Sequence, residues 1–116
     1  MVPYEIYKLL HFAGIFSIFV AFGMASIIQG RSKAVSSLHG TGLLLSLVGG
    51  FGMLARLEIS WPFPAWVLIK VVVWVILGGA VVLFKRQVLP ARWGLALVLL
   101  LGVVSAYAAI YKPFLE

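Results

Sequence analysis

The chain has no cysteine and no aspartate, and only 10% of its 116 residues are charged. The missing cysteines exclude disulfides, thiolate metal sites and iron-sulfur ligation, and they leave the redox compartment unread. The scarcity of charge excludes more. A water-soluble domain is typically about 25% charged and about 45–50% apolar, whereas this chain is 64% hydrophobic with a mean hydropathy of +1.17. It has too little polar surface to be an ordinary cytosolic enzyme, so its function belongs inside a bilayer, at the bilayer faces, or against other membrane proteins. Also absent are a G-x-x-x-x-G-K-[ST] loop, an H-E-x-x-H pair, a candidate catalytic triad and any carboxylate within an apolar run. Without a buried acid, the usual relay of a pump or transporter lacks its central group.

What is present is apolar length. Uncharged runs extend from Leu9 to Gly30, Ala34 to Ala55 and Trp93 to Tyr111, with a fourth from Ser60 to Phe84 broken only by Lys70. Each suffices to cross a hydrocarbon core at about 20 residues per span. The breaks carry charge and turn signals: Gly30 to Lys33, Arg56 to Pro64, Lys85 to Arg92 with Pro90 inside, and Lys112 with Pro113. The spacing predicts helices over about 4–29, 34–56, 64–85 and 92–112 in one transmembrane domain, 1–116. Links this short join antiparallel neighbours, so the expected fold is all-α, an up-down-up-down four-helix bundle. The first span reads as a retained helix, because its apolar run exceeds a signal h-region and Glu5 sits where a basic n-region belongs.

The net charge is +6. In a membrane protein its ordinary cause is topology and anionic lipid, and no nucleic-acid partner is expected. Arg31, Lys33, Lys85, Arg86 and Arg92 fall on one side with no acid. Glu5, Glu58 and Glu116 share the other with Lys8, Arg56 and Lys112. The positive-inside rule places the first side in the cytoplasm and both termini outside; a bacterial inner membrane is the expected location. Tyr4, Tyr7, Trp61, Trp66 and Tyr111 form the outer aromatic belt, and Trp93 lies at the inner one.

Three ionisable residues fall within the spans: His11, His39 and Lys70. At 1.5 Å per residue, His11 and Lys70 each lie about 10 Å in from the outer side, on helices that run the same way. They are candidates for a shared site, with Lys70 also able to snorkel. His39 enters from the opposite side, on the order of 12 Å from the level of His11, so the two histidines cannot ligate one haem iron within one chain. His39 also heads a stripe with Gly42, Ser46, Gly49 and Met53, the small-residue seam of close-packed membrane helices. Its readings are a packing hydrogen bond or a separate cofactor ligand. Similar stripes run through Gly14, Ser17, Ala21 and Ala25, and through Gly102, Ser105, Ala106 and Ala109. Trp66, Lys70 and Trp74 share a face where a ring could hold the ammonium.

The K-x-x-H at Lys8 to His11 and the W-x-x-x-K at Trp66 to Lys70, running on through Ile76-Leu77-Gly78 to Lys85-Arg86, resemble the SirB family of small bacterial membrane proteins. They are similar too to the HemJ-type protoporphyrinogen oxidases and the CopD-like membrane domains. The HemJ-type resemblance implies that His11 and Lys70 are the functional pair, with haem b as cofactor and His11 as the metal-binding residue. The tryptophan- and arginine-containing stretch that follows the histidine in that type is missing, and Phe16 to Met24 is apolar or small.

Two functions compete on these grounds. In the first, the chain is a haem b-linked redox protein, His11 acting as axial ligand or acid-base group and Lys70 holding a carboxylate. In the second, it is a noncatalytic accessory subunit that docks its small-residue stripes on a larger membrane complex. A homo-oligomeric channel or transporter is third, weakened by the missing intramembrane acid.

Overall fold

The computed structural model describes residues 2–28, 32–86 and 90–111. Four helices follow one another: α1 over Tyr4–Ile27, α2 over Lys33–Arg56, α3 over Ala65–Lys85 and α4 over Ala91–Tyr111. All four are long and apolar enough to cross a membrane. The expected bounds agree within one or two residues where they can be compared. The expected ends of the first helix at 29 and of the fourth at 112 lie outside the described residues, as do Arg31, Lys112 and Glu116.

Local chemistry explains where the helices begin. Pro3 and Pro64 stand in extended backbone just before α1 and α3. Proline lacks the N–H that a cap position would leave unpaired, while its carbonyl is free to accept. Pro3 O takes the amides of Ile6 and Tyr7, Pro64 O those of Val67 and Leu68, and Pro90 O those of Trp93 and Gly94. At α2, Ser32 Oγ accepts from Val35 N at 3.3 Å, an ordinary N-cap.

The end of α2 is closed by a Schellman turn. Ile59 N donates to Leu54 O and Glu58 N to Ala55 O, with Glu58 at φ 60. That left-handed position costs a residue bearing a Cβ roughly 1–2 kcal/mol, and glycine escapes the cost at some loss of unfolded-state order. Glu58→Gly is therefore expected to raise stability by roughly 0.5–1 kcal/mol, read as a later midpoint in denaturing-detergent titration.

The helices form a flattened rhombus measuring 43 × 31 × 18 Å. α1 and α3 each touch all three other helices, whereas α2 and α4 do not meet among the described residues. The short diagonal thus joins the helices that carry His11 and Lys70. α1 and α2 make the tightest pair. Gly14 lies on the backbone of Ser46 and Gly42, and Gly49 on the backbone of Tyr7 and His11, so no side chain separates the two helices along this line. In lipid, where apolar association brings helices no net gain, such approach supplies the van der Waals contact that holds a pair.

Two apolar clusters fill the interior. The larger, around Ile18, Phe22, Val35, Val73, Leu77 and Val98, occupies the half nearer the first and third links. The smaller joins Trp66 and Val67 to Ala108 near the second link. The outer surface is apolar as well, with Phe16, Ile27, Val103 and Ile110 all more than 60% exposed. A surface of that kind fits lipid and is foreign to water.

Candidate functional site

A polar layer separates the two clusters, and the helix register defines it. α2 and α3 are tied by crossed hydrogen bonds: His39 Nε2 donates to Leu77 O at 3.0 Å, and Trp74 Nε1 donates to Leu43 O at 3.1 Å. One turn from Trp74 toward the second link is Lys70, which this antiparallel register sets opposite Ser46 and Leu47. The α1–α2 interface sets His11 at the same height, against Ser46, Gly49 and Gly50. On α4, half-buried Ser105 precedes Ala108 by three residues, and Lys70 follows Val67 by three. Because Val67 and Ala108 belong to one cluster, Ser105 shares the layer.

The geometry at His11 is specific. Nδ1 lies 2.7 Å from Ser46 O. A carbonyl only accepts, so Nδ1 carries the hydrogen and the neutral ring presents its lone pair at Nε2. Nε2 is buried and has no hydrogen-bond partner. An orphaned acceptor in an apolar interior is costly, on the order of 1–3 kcal/mol. This is also the arrangement of a ligating histidine, whose second nitrogen is fixed by a carbonyl. The residue that would hold a haem iron is thus His11, a neutral imidazole fixed through Nδ1 with an unpartnered Nε2. Among the described residues no group of three or more His, Asp or Glu side chains is placed to hold a metal ion by itself.

His39 has different surroundings. It is buried, its Nε2 is engaged by Leu77 O, and its ring packs edge-to-face with that of Phe22 at 5.4 Å between centroids. Along α2 it stands seven residues from Ser46, about 10 Å of rise, so the two histidines occupy separate levels. His39→Leu is expected to keep the packing volume and lose the bond to α3. The cost should be roughly 0.6–1.7 kcal/mol, the range of interhelical hydrogen bonds in membranes, measured by denaturing-detergent titration.

Sequence reading placed His11 and Lys70 at one depth, and the structure brings them to one layer. It missed the carbonyl of Ser46 as the group that orients His11. Ser46 was legible only as a small residue in a stripe, because a backbone acceptor leaves no mark in residue type. Trp74 directs its N–H to Leu43, and Lys8 lies over the ring of Phe12 and the Arg92 guanidinium over that of Trp93. Comparison of the chain with protein-family models, curated proteins and solved structures finds no match.

Proposed function

We propose that the protein is a membrane redox protein in which His11 ligates the iron of a haem b and Lys70 holds a carboxylate beside it, from a propionate or a substrate. The observation that carries this reading is the buried, unpartnered Nε2 of His11, backed by the Nδ1 bond to Ser46. The haem would supply one-electron chemistry. The chain's own residues do the rest. Ser46 O holds the ring in one tautomer, Gly49 admits the backbone of His11 and Gly50 its ring against α2, and the two apolar clusters keep water from the layer. Lys70, half-buried on α3, offers a cation at the same depth for a carboxylate arriving from the side of the second link.

The small-residue stripes favour this reading over the accessory subunit. Gly14, Gly42 and Gly49 pack within the α1–α2 pair, Gly94 against Phe84, and Gly102 against Phe19. These five glycines are occupied inside the bundle. We place the cation-rich links in the cytoplasm of a bacterial inner membrane, which puts the His11 layer nearer the outer face.

The test is the optical spectrum of protein purified from cells supplied with haem precursor. A Soret band that shifts on reduction is expected in the wild type. A spectrum without one, still blank after addition of haem to the purified protein, would sink the proposal.

A further inference from the structure

Between Ala65 and Phe84, α3 has only three side chains with a hydrogen-bonding atom: Trp66, Lys70 and Trp74. They stand four residues apart, on one stripe of a helix that is otherwise apolar on every side. In lipid such a helix gains little by turning one apolar face rather than another toward its neighbours. Its rotation is left to packing shape and to these three polar groups. A lysine about 10 Å inside the outer boundary has two resting places. It can lie within the bundle, or it can turn to the lipid face and run its stem up to the interface. Lys70 takes the first. It is half-buried, four residues after buried Trp66, three before buried Val73 and seven before buried Leu77. The exposed face of α3 runs instead through Leu68, Val72, Val75 and Ile76.

What holds α3 in this rotation is on α2. Trp74 Nε1 donates to Leu43 O at 3.1 Å, from a side chain one turn along the Lys70 stripe. Three residues after Leu43, Ser46 O accepts from His11 Nδ1 at 2.7 Å. Ser46 Oγ closes the turn by donating to Leu43 O at 3.0 Å. One turn of α2 thus receives α1 and α3 on two of its carbonyls. The groups fixed in this way are His11 itself and the helix face that carries Lys70. Turning Lys70 out to lipid would carry Trp74 with it, because residues four apart differ by only about 40° around a helix. The indole N–H would then leave Leu43 O, and hydrocarbon offers it no other acceptor. The bond from His39 Nε2 to Leu77 O acts elsewhere. It engages α3 seven residues beyond Lys70, about 10 Å along the axis, where Leu77, Ala80 and Val81 are packed into the larger cluster and hold the helix without it.

We infer that Trp74 is a positioning residue: by donating to Leu43 O it fixes the rotation of α3 that keeps the Lys70 ammonium in the His11 layer. This deepens, and for its functional meaning rests on, the reading of Lys70 as the cation that holds a carboxylate. Its test uses no haem, so the two fail separately.

The full chain in mild detergent is treated with a water-soluble succinimidyl ester, and acylation of each lysine is followed by mass spectrometry. Lys8 and Lys33, exposed at opposite ends of the bundle, are the internal references. In the wild type Lys70 is expected to react more slowly than either. Trp74→Phe keeps an aromatic ring and removes the N–H. Acylation of Lys70 relative to Lys8 should then rise about three- to twenty-fold, the equilibrium worth of one interhelical hydrogen bond in a membrane. His39→Leu removes the other bond between α2 and α3; it should lower the unfolding midpoint and leave the Lys70 rate unchanged. Circular dichroism checks the fold, and Trp74→Leu takes the place of Trp74→Phe if the latter does not fold. Lys70 reacting as fast as Lys8 in the wild type, no rise on removing the Trp74 N–H, or an equal rise in His39→Leu would each overturn the assignment.

Discussion

Gly14→Ala is expected to force α1 away from α2 and to destabilise the protein by about 1–3 kcal/mol, the usual cost of overpacking a tight interface. A Cβ at Gly14 would collide with Ser46 N and would stand 2.7 Å from Gly42 O and 2.9 Å from Leu45 C. All three are backbone atoms, which cannot rotate aside as the tip of a side chain can, so the helices themselves must separate. Separation stretches the other contacts of the same face, including the His11 bond to Ser46 O. The controls are internal. Gly23, Gly40 and Gly79 have nothing within 4 Å of an added Cβ, and alanine there should be neutral or stabilise by up to about 1 kcal/mol through helix propensity. Denaturing-detergent titration followed by circular dichroism separates the cases. If Gly14→Ala unfolds at the same midpoint as Gly40→Ala, the close α1–α2 contact is wrong.

The second large effect is spectroscopic. On the redox reading, His11→Ala removes the one buried ring nitrogen that, among the described residues, the polar layer presents without a partner, and the Soret band is expected to fall by at least about ten-fold. Loss of even an outer-shell partner typically lowers metal affinity 10–100-fold, and loss of the ligand should do no less. His39→Ala should retain the band, because its Nε2 is committed to Leu77 and its level lies about 10 Å away along the helices. Its effect should appear in the unfolding midpoint. The two histidines thus separate by kind of readout: spectrum for one, stability for the other. A band lost equally in both variants, with both folded, would remove His11 from its assigned role.

Much of this arrangement was legible before any coordinates. The helix bounds follow from apolar length and from the prolines at 3, 64 and 90, since each supplies a carbonyl to a helix without needing its own amide bonded. The common depth of His11 and Lys70 follows from counting, because rise per residue is a property of the helix alone. The α1 and α2 stripes were read at the right positions, with Gly14, Gly42 and Gly49 all buried. The α4 stripe was less faithful: Ala106 is exposed, while Ala108 and Val98 face the core. In a helix that is apolar all round, hydrophobic pattern carries little information about which side is inside. Residue size is then the only guide, and alanine is common on both sides.

By itself the sequence determined that this chain has four helices able to cross a membrane, where each begins, and which few ionisable residues lie within them. These are properties of one segment at a time, set by transfer free energy and helix geometry. Only the tertiary structure decided that α1 and α3 share the short diagonal, that Ser46 O orients His11 while Leu77 O engages His39, and that the Phe84 ring closes over Gly94. Each depends on the rotation of one helix against another. In a bilayer that rotation is chosen by the fit of small residues and by backbone carbonyls, which the contrast of polar and apolar residues along the chain does not encode.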